Sequence, residues 1–439
     1  MPVTARLTRS TPRWRNRDVW AISLSACFAD LGYQSVLAGF PLFLVIALHE
    51  PVWEFGLASA LSYGGGALFS YLGGRLGGRV GHRRLALAGN AFIPLLSFSA
   101  LSASPAAAIG LLTGGWWARN LRTPSRRVML VEAVPDEASR SAAFGFLHAL
   151  DVGGGALAGV YVLVAVLSHV EFRWIFLGTV VPLAISTFSL SRARTGGAPL
   201  SRARTGTTVG MSQAAGATSG GAQAPASKPA REQPLPAAGA LLAAAALYGF
   251  TSYSVGFPVL TVAQGGGHLA YGIAAFLVFQ AVSAATGYLL GGRLGTGIPS
   301  QFANLGFLGY LMAGLGAVFL AAGYATGAGT AELLVGVAVL GFALGVVETL
   351  EPSLMAALRP GRLAGRGFGA LSSARSVGLF VGNLVLGLLY GLGPSWSYTY
   401  AAVVACVAAV VVLRALPSAR LARDRLAEAA PAPAAQGRP

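Results

Sequence analysis

The chain has 439 residues, of which 54% are hydrophobic and only 10% are charged, and its net charge is +16. Charged residues make up about a quarter of an ordinary soluble domain, so this composition excludes that class of protein. Both cysteines, Cys27 and Cys406, lie inside apolar runs, so we expect no disulfide framework and no metal site. No cofactor is expected either.

After a basic tail, residues 1–18, the sequence shows twelve apolar runs. Each run is long enough to cross a bilayer, which takes about twenty residues of helix. Helices are expected because a lone strand in lipid would leave backbone groups unpaired. The first run is too long for a signal peptide and contains Asp30, so it is predicted to be an uncleaved span. The predicted spans are 19–48, 54–76, 85–103, 106–133, 138–167, 172–191, 236–263, 269–291, 300–323, 330–357, 367–390 and 396–416.

Two segments interrupt this pattern. Residues 192–235 are rich in Gly, Ala, Ser, Thr and Pro, which predicts a flexible linker between bundles at 19–191 and 236–416. The hexapeptide Ser-Arg-Ala-Arg-Thr-Gly occurs twice near its start, and both a solvated linker and contact with anionic lipid headgroups remain open. Residues 417–439 end in Ala and Pro and are predicted to be a disordered tail.

The distribution of basic residues predicts the orientation. If the amino terminus is cytoplasmic, the cytoplasmic segments and helix ends carry 27 of the 31 Lys and Arg residues, and the external loops carry only Arg173. Cytoplasmic loops of membrane proteins are enriched in Lys and Arg. We therefore expect a multi-pass protein of the cell's inner or plasma membrane with both termini in the cytoplasm. The positive charge is thus explained without a nucleic-acid partner.

A short basic, glycine-rich segment, residues 73–85, joins the second and third spans and is predicted to be a tight loop in which Gly81 takes a positive φ. It resembles the signature loop of the major facilitator superfamily of transporters, although Gly78 and His82 depart from that pattern. The matching positions are Gly74, Arg75, Leu76, Gly77, Arg79, Gly81, Arg83, Arg84 and Leu85. The resemblance implies a role in gating for Gly74, Arg75, Gly77, Arg79, Gly81, Arg83 and Arg84.

The resemblance implies an all-α membrane fold of twelve transmembrane helices in two pseudo-symmetric six-helix bundles, which work by alternating access. Short internal repeats agree with it. Gly39-Phe40-Pro41 recurs as residues 256–258, and Phe144-Gly145 recurs as residues 368–369. When the two halves are aligned on the repeated Phe-Gly pair, Asp151 of the fifth span corresponds to Arg375 of the eleventh.

Charged side chains inside the spans are the candidate substrate and proton pathway, because they are costly in lipid and usually have a partner. Asp30, Tyr33 and Gln34 share one face of the first span, and Arg119 and Arg122 share one face of the fourth. Arg119 is expected to pair with Asp30 or Asp151, either as a structural ion pair inside the bundle or as part of the functional site. Arg126, on the same face, either belongs to this set or extends to the lipid headgroups.

Further candidates lie in the fifth, tenth and eleventh spans, and the candidate of the eleventh is Arg375. His148 stands one turn before Asp151, as a packed polar residue or a proton relay. Glu348 and Glu351 are one turn apart before Pro352, as a cavity-lining pair or, for Glu351, as a hydrated residue. The stretch from Arg119 to Asp151 resembles a bacterial branch of the superfamily with an Arg-rich fourth helix.

These features predict a secondary active transporter of a small molecule, anionic or zwitterionic, driven by protons. It is expected to be a monomer in contact with membrane lipids, and an efflux permease is one form left open. No Walker loop, nucleophile elbow or metal-ligand cluster occurs in the sequence, so an enzyme is not expected. A membrane sensor or assembly scaffold of the same fold, which does not transport, is the alternative.

The charge bias makes the topology testable. Single cysteines at Lys228 and at His169, in a variant without Cys27 and Cys406, should react differently with an impermeant thiol reagent applied to intact cells. The position of His169 should be labelled, and that of Lys228 only after permeabilisation. Labelling of Lys228 in intact cells would refute the orientation.

Overall fold

The computed structural model describes residues 15–102, 104–134, 137–195, 236–251, 254–290, 297–359 and 364–428, in which every regular element is helical. The predicted linker falls mostly on residues 196–235, outside the described residues. The helices are α1 (Arg17–Ala47), α2 (Val52–Val80), α3 (His82–Leu101), α4 (Pro105–Ala133), α5 (Glu137–Leu167), α6 (Phe172–Ser191), α7 (Pro236–Thr251 and Gly256–Gly266), α8 (Leu269–Leu290), α9 (Ile298–Thr326), α10 (Thr330–Leu358), α11 (Ala364–Leu392), α12 (Pro394–Arg414) and α13 (Leu416–Glu428).

Each of the twelve predicted spans corresponds to one of the helices α1–α12. Ten of these helices are long and apolar enough to cross a membrane. The two others, α2 and α4, each have 29 residues. In α4 the apolar sequence is interrupted by four arginines, which the fold must accommodate inside a bundle.

The glycine-rich basic segment is mostly helix, so the predicted loop over residues 73–85 is wrong in extent. Helix α2 continues to Val80 and α3 begins at His82, which leaves Gly81 alone as the turn. Gly81 has a φ of +95°, the positive value predicted for it. Residues other than glycine rarely adopt this backbone conformation, so a one-residue turn at this position depends on glycine.

The arginines of this segment differ in their contacts. The Arg83 guanidinium donates hydrogen bonds of 2.8 Å or less to the carbonyl oxygens of Ser191 and Ala193 at the end of α6. The Ser191 carbonyl belongs to the last turn of α6 and the Ala193 carbonyl lies just beyond the helix, where carbonyl groups have no partner within the helix. Arg75, Arg79 and Arg84 are exposed and have no hydrogen-bond or ion-pair partner in the described part of the chain.

The carboxyl-terminal tail is ordered further than predicted. Residues 416–428 form α13, where the sequence was expected to be disordered from residue 417. The reason is a small apolar face: Ala419 and Ala422 are buried in the same cluster as the first turns of α7 and α9. Alanine favours helix and packs closely, so this short segment folds despite its many charges.

The two halves of the molecule share one apolar core at one end and have separate cores at the other end. A large apolar cluster contains buried residues of both halves, among them Phe55 of α2 and Phe257 of α7, whose rings meet edge to face at 5.1 Å. At the end that carries Gly81, the amino-terminal half has its own cluster around Met129, and the carboxyl-terminal half has another around Leu354. The halves are therefore closed against each other at one end only.

Helices α2 and α11 show the same separation along their length. A Cβ added at Gly56 would lie 2.7 Å from a carbonyl oxygen of α11, and one at Gly64 would lie 2.5 Å from Phe380. Two turns beyond Gly64 on the same face, Tyr71 is 64% exposed. On α11, Gly369 has no described atom within 4 Å of an added Cβ. The two helices thus touch at one end and part toward the end of Gly81.

Glycines also hold α2 against α4. A Cβ at Gly73 would overlap the carbonyl oxygen of Leu121, and one at Gly77 would lie 2.5 Å from His82 and 2.6 Å from Ser125. Small residues four apart allow two helix backbones to approach closely in a membrane. The glycines of the signature segment therefore serve packing as well as the turn.

Gly73 and Gly78 form a matched pair for a stability test. Gly73→Ala should lower the free energy of unfolding by about 1–3 kcal/mol relative to Gly78→Ala, because a backbone carbonyl cannot move aside as a side chain can. Gly78 has open space around it, so the added methyl group meets nothing. Thermal unfolding of the purified variants in detergent measures the difference. Equal unfolding temperatures would contradict the close contact of α2 and α4.

Candidate functional site

A cavity of about 570 Å³ lies between the two halves, beside the shared core. Four predicted site residues line it: Gln34 and Arg119 from the amino-terminal half, and Glu348 and Arg375 from the carboxyl-terminal half. Aromatic and uncharged polar side chains make up much of the remaining wall, including Tyr63, Trp116, Asn120, Tyr248, Thr251, Ser254 and Gln280. The cavity therefore combines one charged group on one wall with a charged cluster on the other.

Arg119 is linked to a buried carboxylate through a tyrosine. Its Nη2 donates to the Tyr33 hydroxyl oxygen at 3.3 Å, and that hydroxyl donates to Oδ1 of Asp30. The guanidinium also lies over the rings of Tyr33 and Trp116, 5.2 and 4.8 Å from their centroids. No carboxylate in the described part of the chain forms an ion pair with Arg119, and its Nε has no hydrogen-bond partner there. The expected direct pair with Asp30 or Asp151 is therefore wrong in this conformation.

Glycine brings the fifth helix onto this group. A Cβ at Gly154 would overlap the carbonyl oxygen of Cys27 and would lie 3.0 Å from the Cβ of Asp30. Helix α5 therefore covers Asp30, which is 8% exposed, while Tyr33 is 1% exposed. The Asp30 carboxylate is connected to the cavity by the hydrogen bonds of the Tyr33 hydroxyl group and Arg119.

Arg122 lies on the same side of α4 but points to a different neighbour. It is fully buried and donates to Oδ1 of Asn90 on α3, whose amide nitrogen donates to Ser186 and Thr187 of α6 at 3.2 and 2.7 Å. Arg122 does not line the cavity, so its predicted place in the pathway is not found in this conformation. A neutral amide satisfies part of its hydrogen-bonding capacity.

Arg126 takes the partner that was expected for Arg119. Its Nη2 lies 3.3 Å from Oδ2 of Asp151 on α5, and Arg126 is only 5% exposed. The alternative in which it extends to the headgroups is therefore wrong. His148, one turn before Asp151, is exposed and does not line the cavity, so the structure does not bring it into the site.

In the other half one arginine binds both predicted glutamates. Arg375 forms ion pairs with Glu348 and with Glu351, the latter at 2.7 Å. Glu351 is fully buried and also accepts a hydrogen bond from the Tyr310 hydroxyl at 2.7 Å. The Glu348 side chain is 54% exposed, so this carboxylate faces the cavity. The arginine guanidinium also lies 5.7 Å from the centroid of the Tyr248 ring.

The two halves thus contain the same kind of pair with the charges exchanged. In the first half a cation on α4, Arg126, binds an anion on α5, Asp151. In the second half an anion on α10, Glu351, binds a cation on α11, Arg375. Arg126 and Glu351 each stand 21 residues after the first residue of their helix. The repeat therefore conserves the position of an ion pair and not its polarity.

The chain belongs to the Major Facilitator Superfamily. The family model of that name matches residues 22–331, which run from the first helix into the tenth. The predicted family and its all-helical fold are confirmed. None of the curated proteins matches the chain.

Solved structures of superfamily transporters share this fold. A POT family transporter in complex with a thioalcohol-conjugated peptide has a TM-score of 0.70 at 13% identity, covering 92% of this chain and 96% of that one. The nucleoside transporter NupG has a TM-score of 0.66 at 13% identity, covering 92% and 100%. A bacterial homologue of the human lysosomal transporter Spinster, described as inward-facing and unoccupied, has a TM-score of 0.62 at 13% identity, covering 97% and 100%.

Several cavity residues were not predicted from the sequence. Tyr63, Asn120 and Gln280 are uncharged, and nothing in an apolar run distinguishes such residues from those that face lipid or other helices. Asn90 was also missed, although a lone amide in the third span is a natural partner for a buried arginine. The charged residues that line the cavity, Arg119, Glu348 and Arg375, were in contrast among the predicted site candidates.

The carboxyl-terminal cluster makes a stability prediction with a built-in control. Arg375→Ala should lower the free energy of unfolding by about 3–5 kcal/mol, because it leaves the buried Glu351 without its charge partner. Glu348→Gln should cost less than about 1 kcal/mol, since Glu348 is half exposed and Glu351 still balances the arginine. Thermal unfolding in detergent distinguishes the two. Similar losses in both variants would contradict the assignment of Glu351 as the principal partner.

Proposed function

We propose that this superfamily member is a proton-coupled secondary transporter of a small anionic or zwitterionic molecule, and that the central cavity is its substrate site. The volume of about 570 Å³ suits a small molecule. Residues of both halves line it, as alternating access requires, since the substrate must be reachable from whichever end is open.

The observation that best supports the proposal is the surroundings of the Arg119 guanidinium. It is a cation on the cavity wall, held by Tyr33 and Trp116, with no carboxylate partner among the described residues. An arginine inside a membrane protein is costly unless a partner or water compensates its charge. A substrate carboxylate or phosphate would supply that partner and could accept two parallel hydrogen bonds from the guanidinium.

Asp30 is the proposed proton site. When Asp30 is ionised, its charge compensates Arg119 through the polarised Tyr33 hydroxyl group. When it is protonated, that compensation is lost and Arg119 attracts an external anion more strongly. Proton and substrate anion would then bind together. The burial of Asp30 beneath Gly154 supports this role, because a buried carboxyl group responds strongly to changes in its surroundings as a site changes its exposure.

The opposite wall favours zwitterions within this class. Glu348 is half exposed to the cavity and is not the only carboxylate on Arg375, so it can attract a substrate ammonium group. One solved structure that shares the fold is a POT family transporter in complex with 5-aminolevulinic acid, a molecule with both an amino and a carboxyl group. At 13% identity that structure shows the fold alone, so its bound molecule guides the screen and does not identify the substrate.

The arrangement of the two halves indicates which side of the membrane the cavity faces. By the charge distribution, the end with Gly81 is the cytoplasmic one, so the described state is open to the cytoplasm. Transport would require α2 and α11 to close there, over Tyr71 and Gly369, and to part at Gly56. Arg79, which is exposed and without a described partner, would contact the closing helices and influence this balance. We place the protein in the cell's inner or plasma membrane, as a monomer with both termini in the cytoplasm.

Reconstitution in proteoliposomes tests the proposal. A panel of amino acids, dipeptides and carboxylates is first screened for uptake driven by a pH gradient. With the substrate found, Arg119→Ala should lose most of its binding, by about 2 kcal/mol or thirty-fold for a charged hydrogen-bonded pair. Asp30→Asn should lose uptake driven by the pH gradient and keep exchange of substrate across the membrane.

The control separates chemistry from folding. Thr123→Ala removes a neutral hydroxyl group one turn along α4, where it donates to the Arg119 carbonyl oxygen at 2.8 Å and does not line the cavity, so a comparable loss of binding there would indicate general damage to this part of α4. Melting temperatures of all variants are measured in parallel. Full binding and full gradient-driven uptake by Arg119→Ala would overturn the proposal.

A further inference from the structure

The two halves of the molecule line the central cavity with different kinds of side chain. The amino-terminal half contributes five lining residues, all on α1, α2 and α4, and each has a polar atom in its side chain: Gln34, Tyr63, Trp116, Arg119 and Asn120. Every aliphatic residue in the described lining comes from the carboxyl-terminal half. The two walls are therefore suited to different parts of one bound molecule.

An apolar extension of the cavity enters the carboxyl-terminal half. Six residues without a polar side-chain atom line this extension, which we call the apolar bay: Phe276 and Phe279 of α8, Ala313 of α9, Leu340 and Leu344 of α10, and Ala401 of α12. In the amino-terminal half, no described residue of α3 or α6, the counterparts of α9 and α12, lines the cavity. The cavity thus penetrates further into the second half, and it reaches α9 and α12 where their side chains are only methyl groups.

Close contacts between helices fix the walls of the bay. A Cβ added at Gly341 of α10 would lie 2.7 Å from the carbonyl oxygen of Phe279, so the backbones of α8 and α10 touch there. A Cβ at Gly316 of α9 would lie 2.9 Å from the Leu340 side chain. Because such contacts leave little freedom for the helices to move together, the space in the bay depends on the small side chain of Ala313.

The charged groups of the cavity lie to one side of the bay. Glu348, whose side chain is half exposed, stands eight residues after Leu340, which is about 12 Å along α10. A molecule held at its charged groups by Arg119 and Glu348 therefore has an apolar space beside it. Apolar cavities hold water poorly and take up apolar groups, whereas a polar group that enters one loses its hydrogen bonds to water.

We propose that the apolar bay binds the side chain of a zwitterionic substrate, an α-amino acid or dipeptide with a bulky apolar side chain, and that Ala313 limits the size accepted. The inference rests on the proposed function of the central cavity, because Arg119 and Glu348 hold the charged groups of the same molecule. Amino acids with polar side chains are rejected, since the bay offers their side chains no hydrogen-bond partner.

Binding of a homologous series to the protein in lipid nanodiscs tests the proposal. The probes are alanine, 2-aminobutyrate, norvaline and norleucine, each as the free amino acid and as its glycyl dipeptide, measured by titration calorimetry against empty nanodiscs. The charged groups are constant within each series, and each step adds one methylene group. Affinity should rise about four-fold per step, so norleucine should bind roughly sixty-fold more tightly than alanine.

Variants of the bay make the test specific. Ala313→Leu fills the bay, so it should bind norleucine no more tightly than alanine while its affinity for alanine stays unchanged. Ala322→Leu is the matched control, because Ala322 is exposed on the same helix and does not line the cavity. If Ala313→Leu fails to fold, Leu344→Ala decides: it enlarges the bay, so the affinity for 2-aminooctanoate relative to norleucine should rise about four-fold.

The outcomes separate this inference from the proposed function. No binding in either series, equal binding of the four side chains, or a dependence on chain length that Ala313→Leu preserves would overturn the bay. Binding that needs Arg119 but does not depend on chain length would contradict the bay alone. If Arg119→Ala binds norleucine as tightly as the unmodified protein does, the proposed function is wrong, and a dependence on chain length that Ala313→Leu removes still supports the bay.

Discussion

The compensation of arginine charge inside the amino-terminal half is the constraint on which this structure depends. Arg119, Arg122 and Arg126 occupy little more than two turns of α4, and each is met by a different neighbouring helix. Among the described residues Arg126 has a carboxylate, Arg122 has an amide, and Arg119 has a tyrosine hydroxyl and two aromatic faces but no carboxylate. Compensation is thus most complete at the end near Gly81 and least complete at the cavity. The incompletely compensated arginine is the one a ligand can reach.

The carboxyl-terminal half meets the same constraint with a surplus of negative charge. Arg375 has two carboxylates, one buried and one facing the cavity. One wall of the cavity therefore carries a cation that no anion pairs with in the described part of the chain, and the other wall carries two carboxylates beside one cation. The glycines matter here as well, because α1 and α5 approach closely enough to bury Asp30 only where Gly154 omits a side chain.

Much of the architecture could be predicted from the sequence, because hydrophobic runs and the bias of basic residues report directly on membrane helices. The pairing within the site could not. Arg119 and Arg122 share a stripe of α4, but arginine side chains are long, and the neighbour that each reaches depends on how α1, α3 and α5 are rotated. His148 shows the same limit, since its spacing from Asp151 does not tell which way it faces.

Tertiary contacts also explain why residues 73–80 and 416–428 are helical. Glycine and arginine in residues 73–80 suggested a loop, yet a helix that projects beyond the membrane tolerates arginine, and its glycines are required by close packing against α4. In α13 the composition suggested disorder, whereas two alanines at helical spacing were enough for the segment to pack. In each case tertiary contacts outweighed local preference.

The central claim is that Arg119 and Asp30 share one charge balance, so that a substrate anion and a proton bind together. Its most direct test is the change in pH when substrate is added to the purified protein in a weakly buffered solution. The protein should take up a proton as substrate binds, and Asp30→Asn should bind substrate without this uptake. Substrate binding with no proton uptake by the unmodified protein, or with the same uptake by Asp30→Asn, would contradict it.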